Sequence, residues 1–312
     1  MKTILTTFLT VAVSTFAVAQ NPDKALSRVS YTFVHVQDTT QKDKPYTENM
    51  LLVIGKNASV YTSYDKINNM VIMNKQIQEQ IKNNVGGSQR IISRGPSKPV
   101  SQLDYFYFAK ENKFITKDRV FNSYLIEEEA PKINWKLSKD TASFSGVKCK
   151  KATANFKGRN WIAWYAPELP FQSGPWKLNG LPGLIIEAYD EKKEVQFQFA
   201  GMETVPADAQ KEVESSAPQL STPSGGVVRL MAADTGASYL GAEIKVPADA
   251  IKTTKKELEK LKEARDKDPQ GFMNAQLASS GVKLNGPISF QSAGPGAVKK
   301  NPINNPIELS DN

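Results

Sequence analysis

Val195, Phe197 and Phe199 alternate with Gln196 and Gln198, and this period of two, directly after the polar tip Asp190-Glu191-Lys192-Lys193, constrains the chain more than any other feature. Only an extended strand places successive side chains on opposite faces, so one face here is apolar and the other wet, as in an antiparallel sheet solvated on one side. The pattern recurs from Val29 to Val36, with Val29, Tyr31, Phe33 and His35 on one face. Met50 to Ile54 meets Gly55-Lys56-Asn57 and returns as Val60-Tyr61-Thr62, which reads as a hairpin. Further strands are predicted at Asp104–Ala109, Lys113–Thr116, Val120–Glu127, Ile133–Leu137, Val147–Asn155, Trp161–Tyr165 and Leu184–Tyr189. Their short links imply meandering, antiparallel connectivity.

One segment breaks this rhythm. Ile67, Met70, Val71, Ile77 and Ile81 follow helical spacing, with an end at Gly86-Gly87. The expectation is a β-rich α+β fold: a curved, largely antiparallel sheet, a partly open barrel, wrapped around one packed helix.

Past Val205 the composition moves toward Ala, Ser, Pro, Thr and Gly, with Pro218–Gly226 as a linker and a short strand at Tyr239–Val246. Thr254 and Glu257 then form a capping-box signature that opens a charged helix, Lys255–Lys267, whose apolar stripe is little more than Leu258, Leu261 and Ala264. From Gly281 onward Gly, Pro and Asn predominate, so low order is expected, although the last residues could pair with the body as an edge strand. The chain thus divides into residues 1–19, a β-rich domain over 20–205, and an extension over 206–312.

The first segment reads as a secretory signal peptide: a basic start at Met1-Lys2, an uncharged and mostly apolar run from Thr3 to Val18, and Ala17-Val18-Ala19 as a cleavage site before Gln20. The run is too short and Thr-rich for a stable span, and no later segment supplies a transmembrane helix, so the mature chain is expected to be periplasmic or secreted. Its single cysteine, Cys149, excludes an internal disulfide and lies in a stretch that places it on the inner face of a strand. The formal charge of +8 suits anionic lipid headgroups or glycan phosphates. No recognition motif interleaves aromatics with basic residues, so nucleic acid is not an expected partner.

Conventional catalytic chemistry is poorly represented. With His35 and Cys149 the only residues of their kinds, a zinc site of the usual type is excluded, and a Ser-His-Asp triad would need a histidine that sits beside Phe33 on an apolar face. No phosphate-binding glycine loop or dinucleotide fingerprint occurs, so no cofactor is expected. Carboxylates remain: Glu127-Glu128-Glu129 and Glu187 could serve as an acid pair of a secreted hydrolase, or simply face water. The strongest candidate for ligand binding is the cluster Trp161, Trp164, Tyr165, Phe171 and Trp176, with Arg159 and Lys177 beside it. Such rings stack on sugars or line apolar grooves while the cations meet phosphate or carboxylate. The same residues could instead form a core corner in which tryptophan plugs the mouth of a curved sheet, with Arg159 as a buried hub that closes it.

Gly180-Leu181-Pro182-Gly183-Leu184-Ile185 carries no acid, base or nucleophile. Pro182 and Gly183 suit the two central positions of a type II turn at Leu181–Leu184, feeding the strand that follows. With Trp135, Cys149-Lys150-Lys151-Ala152, Phe156-Lys157-Gly158-Arg159, Trp161 to Tyr165, Pro170 and Gly174-Pro175, the hexapeptide resembles the GLPGLI family of the Bacteroidetes, and the ending Asn305-Pro306-Ile307-Glu308-Leu309 resembles a tail that many members carry. The resemblance implies an exported, β-rich envelope protein, often encoded near outer-membrane receptor systems, with no established catalytic residues. The expected function is a non-enzymatic binding, carrier or chaperone-like module for a lipid-like or glycan ligand or an outer-membrane protein. A carboxylate-dependent hydrolase and an accessory subunit of an outer-membrane assembly are the alternatives.

Overall fold

The structure, a computed structural model, describes residues 22–83, 99–206, 219–221, 227–229, 243–279 and 303–309. In chain order its elements are β1 (Asp23–His35), β2 (Tyr46–Gly55), β3 (Ala58–Ser63), α1 (Tyr64–Asn83), β4 (Asp104–Phe108), β5 (Lys113–Arg119), β6 (Ser123–Glu129), β7 (Lys136–Phe144), β8 (Val147–Phe156), β9 (Arg159–Ala166), β10 (Leu184–Asp190) and β11 (Val195–Thr204). Then come β12 (Gln219–Ser221) and β13 (Val227–Arg229), which form a small separate hairpin, β14 (Glu243–Ile244), β15 (Ile251–Lys252), α2 (Lys255–Lys267) and α3 (Pro269–Ser279).

One 13-stranded sheet runs β15-β6-β5-β4-β3-β2-β1-β11-β10-β9-β8-β7, with β14 added on β1. Among the described residues only the β15–β6 pair is parallel. The sheet does not close, so β7 is left as one edge. Its curvature has local causes: the register slips between Ser30 and Tyr31 of β1, between Ile185 and Glu187 of β10, and between Leu137 and Thr141 of β7. An extra residue at such a point bends its strand and increases the local twist. Gly201, opposite Ser30, meets the first slip with φ +144°, a value that favours glycine.

Two apolar clusters lie on opposite faces of the central strands. Met50, Leu52 and Ile54 of β2 join Val29, Tyr31, Trp161, Trp176 and Phe197, while Leu51 and Val53 join Val60, Ile67, Phe106 and Ile115. Burial on both faces explains why β2 reads as a continuous apolar run rather than an alternation. Ile67 of α1 and Ile244 of β14 cover the second face, so the predicted helix packs through Ile67, while Met70 is half-buried and Val71 is exposed. The Gly86-Gly87 helix end lies outside the described residues.

The structure corrects several local expectations, among them the strand predicted at Val120–Glu127, which runs from Ser123 to Glu129, and the linker at Pro218–Gly226, within which Gln219–Ser221 is strand β12. The strand predicted at Ile133–Leu137 begins at Lys136 and continues to Phe144 as a largely exposed edge strand. Pro182 and Gly183 do not make a type II turn: Gly183 N–H donates to Leu181 O across Pro182 at 2.8 Å, and Gly183 adopts φ +149°. A Cβ there would collide with the Ala166 carbonyl, so close backbone approach is what demands glycine. Of the strand at Tyr239–Val246, only Glu243–Ile244 is a described strand. A further helix, α3, follows the expected one.

The extension past Val205 is part of the same body where it is described. Thr254 Oγ1 accepts from Glu257 N–H at 3.2 Å and Glu257 Oε2 accepts from Thr254 N–H at 3.2 Å, so the capping box forms as read. Leu258 is buried, and Lys262 Nζ reaches Asp118 at 2.8 Å, which holds α2 beside β5. The tail 303–309 lies against the turn between β8 and β9 and the chain just after β1.

Candidate functional site

The turn Lys157-Gly158 delivers Arg159 to the first position of β9, and the strand's period of two then sends Arg159, Trp161, Ala163 and Tyr165 inward together. Trp161 lies 5.6 Å from Trp176 and stacks on Phe197 at 6.0 Å, while Phe197 stacks on Phe33 at 5.2 Å. Trp176 comes from the loop between β9 and β10, in a left-handed conformation with φ +55° that a bulky side chain adopts only when its surroundings fix it. Here the ring itself is fixed, packed against Trp161, Phe156 and Phe197.

Of the six residues expected to form a ligand surface, Arg159, Trp161, Tyr165 and Trp176 are therefore buried, and they belong to the core corner. Trp164 and Phe171 are half-buried: Trp164 packs against Phe144 at 5.7 Å, and Phe171 packs against the core. Beneath the loop a cavity of about 10 Å³ remains, lined by Tyr61, Tyr105, Phe114, Trp176 and Leu178. That is room for about one water. Tyr61 Oη, buried, has no hydrogen-bond partner among the described residues. The tyrosine's burial also raises its pKa well above the ordinary value.

At the rim of this core lies a dense polar arrangement. The Arg159 side chain is 2% exposed and donates Nη1–H to Asp190 Oδ2 at 2.9 Å. Its other donors go to the tail: Nε to Ile307 O at 2.9 Å, and Nη2 to both Pro306 O and Asn305 Oδ1 at 2.7 Å. Asp190 is held in turn by Val195 N–H at 2.7 Å, and Glu194 lies 3.7 Å from Arg159. Asn305 Nδ2 donates to Val36 O at 2.8 Å and to Glu194 Oε2 at 3.2 Å. A buried guanidinium needs both counter-charge and full hydrogen bonding, and this one obtains the first from the β10–β11 turn and most of the second from the tail.

His35 completes the arrangement. Its Nε2 lies 2.7 Å from Asn305 O, an acceptor only, so Nε2 carries the proton. Burial lowers its pKa most, the Arg159 charge lowers it further, and the Asn305 carbonyl, Asp190 and Glu194 oppose the shift without reversing it. At the far end of the tail, Glu308 sits 2.6 Å from Lys177 and 3.6 Å from Lys157. Burial alone would raise Glu308, but Lys177 and Lys157 outweigh it and hold the carboxyl below its ordinary range.

The other candidate groups are dispersed. Cys149 is buried, and burial with Glu187 nearby pushes its thiol up to about 11. Glu127 pairs with Lys252 at 2.9 Å and Lys113 at 3.8 Å, while Glu187 is raised by burial on a different part of the sheet. Asp104, wholly buried, is held by Thr62, Lys66 and Lys117 under the start of α1. Among the described residues no cluster of three or more His, Cys, Asp or Glu could hold a metal. The sequence reading missed Asp190, Glu194 and Asn305 as partners of Arg159. Asp190 and Glu194 flank a polar hairpin tip, and Asn305 is distant in sequence and sits in an Asn-Pro-rich stretch, so nothing local ties them together.

These features define a β-rich domain built on one open antiparallel sheet, with a tail clamped at its rim. Residues 107–187 match the model of a family described as a protein of unknown function (Porph_ging), a domain typical of Bacteroidetes. The match takes in Arg159, the aromatic cluster and the hexapeptide, but neither His35 nor the tail. No curated protein matches the chain. Among solved structures, it is similar to PNGF-II in its P21 and C2 space groups, with TM-scores of 0.41 and 0.40 and identities of 13% and 14%. Each likeness covers 59% of this chain and 29% or 28% of the PNGF-II chain, so this chain spans less than a third of that length.

Proposed function

We propose that this is an exported, non-enzymatic binding module of the bacterial envelope, of GLPGLI type, acting in the periplasm or at the outer membrane. Its body over 20–205 binds a linear peptide segment at the rim, and its extension over 206–312 supplies such a segment. The observation that carries the reading is how Arg159 is used. A buried guanidinium directs three of its four hydrogen bonds to peptide carbonyls and an Asn side chain of residues 305–307, which is peptide recognition rather than catalysis.

A lipid-like or glycan ligand has no space beneath the aromatic loop, where about 10 Å³ is free. A partner protein at the rim or at the solvated edge strand β7 is the better fit, and this also favours the accessory-subunit alternative. The hydrolase alternative draws little support, because Glu127 is engaged by two lysines. The test is native mass spectrometry on the full chain purified gently from its own envelope fraction. A co-purifying envelope protein that is lost on Lys177→Glu, with circular dichroism unchanged, is the expected result. A bound lipid or glycan that survives this change and is lost on Trp164→Ala would overturn the reading.

A further inference from the structure

The tail segment Asn304–Leu309 meets the body at four separate places: the chain after β1, the β8–β9 turn, the loop between β9 and β10, and the β10–β11 turn. Part of this contact is blind to sequence. Gln37 O accepts from Asn304 N–H and Asn305 N–H, each at 3.1 Å, Lys157 O accepts from Leu309 N–H at 3.1 Å, and Arg159 and His35 take three successive carbonyls. The remainder reads side chains. Asn304 Oδ1 accepts from Thr39 N–H at 2.9 Å and its Nδ2 donates to Asp38 Oδ1 at 2.9 Å. Asn305 is read by Arg159, Val36 and Glu194, and Glu308 by Lys177 and Lys157. Pro306 stands where no N–H is used. Gly158, at φ +70°, has no room for a Cβ because Leu309 lies against it.

The slot is therefore built like a receptor for a linear peptide, with main-chain bonds for affinity and specific side-chain contacts for register. Connectivity does not dictate whose tail fills it. Residues 280–302 separate Ser279 at the end of α3 from Ile303, and 23 residues can reach at most about 80 Å, more than the width of a domain this size.

We propose that this slot takes the Asn304–Leu309 segment of a second copy of the chain, so that two copies exchange tails reciprocally around a two-fold axis. This rests on the peptide-binding reading above. Exchange of an identical element reuses every contact of the closed monomer and needs no new surface. The intramolecular arrangement is favoured at low concentration, because a tethered tail has an effective concentration in the millimolar range. Weakening the tail–slot match within one chain while preserving it between two different chains reverses that preference.

The test uses two full-length variants. Glu308→Lys faces its own Lys177 and Lys157, and Lys177→Glu faces its own Glu308, so each clashes within itself; mixed, each tail meets an opposite charge on the other chain. The expected result is a 1:1 heterodimer by light scattering and native mass spectrometry in the mixture, with each variant alone monomeric and folded by circular dichroism. A labelled peptide spanning Asn301–Asn312 provides the second readout: it should bind the Glu308→Lys chain saturably and bind a Glu308→Lys/Lys177→Glu double variant at least tenfold more weakly. A mixture that stays monomeric, with no peptide binding by the folded Glu308→Lys chain, overturns the exchange. The envelope co-purification above fails or succeeds independently of that outcome.

Discussion

Arg159 Nη1 and Asp190 Oδ2 lie 2.9 Å apart inside the protein, with the side chains 2% and 4% exposed. A pair this buried is held by what surrounds it, since removing one partner strands the other charge away from water. Arg159→Ala should cost about 3–5 kcal/mol of folding stability for that reason. Arg159→Lys keeps the charge but loses the planar fork that serves Asp190, Asn305, Pro306 and Ile307 together, so it should release the tail while leaving the sheet folded. Urea unfolding monitored by tryptophan fluorescence distinguishes the two.

Asn305→Ala removes the side-chain bonds to Arg159, Val36 and Glu194 but keeps the main-chain bond to His35. It should weaken tail docking by about 1–3 kcal/mol, the cost of leaving buried polar partners unsatisfied. A lowered melting temperature in calorimetry, with unchanged circular dichroism at room temperature, is the expected signature.

Two tyrosines make opposite predictions from the same deletion. Tyr31 Oη donates to Ile185 O at 2.6 Å, where it ties β1 to the slip in β10, so Tyr31→Phe should destabilise by about 1–2 kcal/mol. Tyr61 Oη is buried without a partner among the described residues, so Tyr61→Phe should be neutral or stabilising by up to about 1 kcal/mol. Matched denaturant titrations of the two variants check this directly.

His35 gives a pH dependence whose sign follows from its lowered pKa. The folded protein resists protonation, so the unfolded chain binds the extra proton once the pH falls below the ordinary histidine value, about 6.5. The contribution is thus fully present above that value and is lost progressively as the pH drops toward the folded pKa. Glu308, lowered instead, adds a loss at more acid pH, below its ordinary value of 4.5. His35→Gln keeps a donor without the titration, so the decline in unfolding free energy between about pH 7 and 5 should flatten in that variant.

How much was legible in the sequence depended on whether the cause was local. The alternation in β1 and β11, the β2–β3 hairpin and the Thr254–Glu257 capping box all formed where their residues indicated, because each signal is carried by neighbours in the chain. Edge strand β7 was misplaced because its residues are largely polar and exposed, so no apolar alternation marks them. The aromatic cluster was visible as a group, but its orientation was not: Trp161 and Tyr165 face inward because Arg159 sets the register of β9, and Trp176 is buried because a left-handed residue turns it under the loop. Arg159 could be read as a hub, and Lys177 as a cation awaiting a carboxylate. That the carboxylate is Glu308, far along the same chain, is a tertiary fact with no local trace.

Hydrogen–deuterium exchange on the full chain, wild type against Arg159→Lys, tests the central claim most directly, that Arg159 holds residues 303–309 as a bound peptide. The amides of Asn304, Asn305 and Leu309, bonded to Gln37 O and Lys157 O, should be protected in the wild type. They should exchange at least tenfold faster in the variant, while Val29 to Phe33 in the middle of the sheet stay unchanged. Free exchange of those three amides in the wild type, or protection that persists in Arg159→Lys, would contradict it.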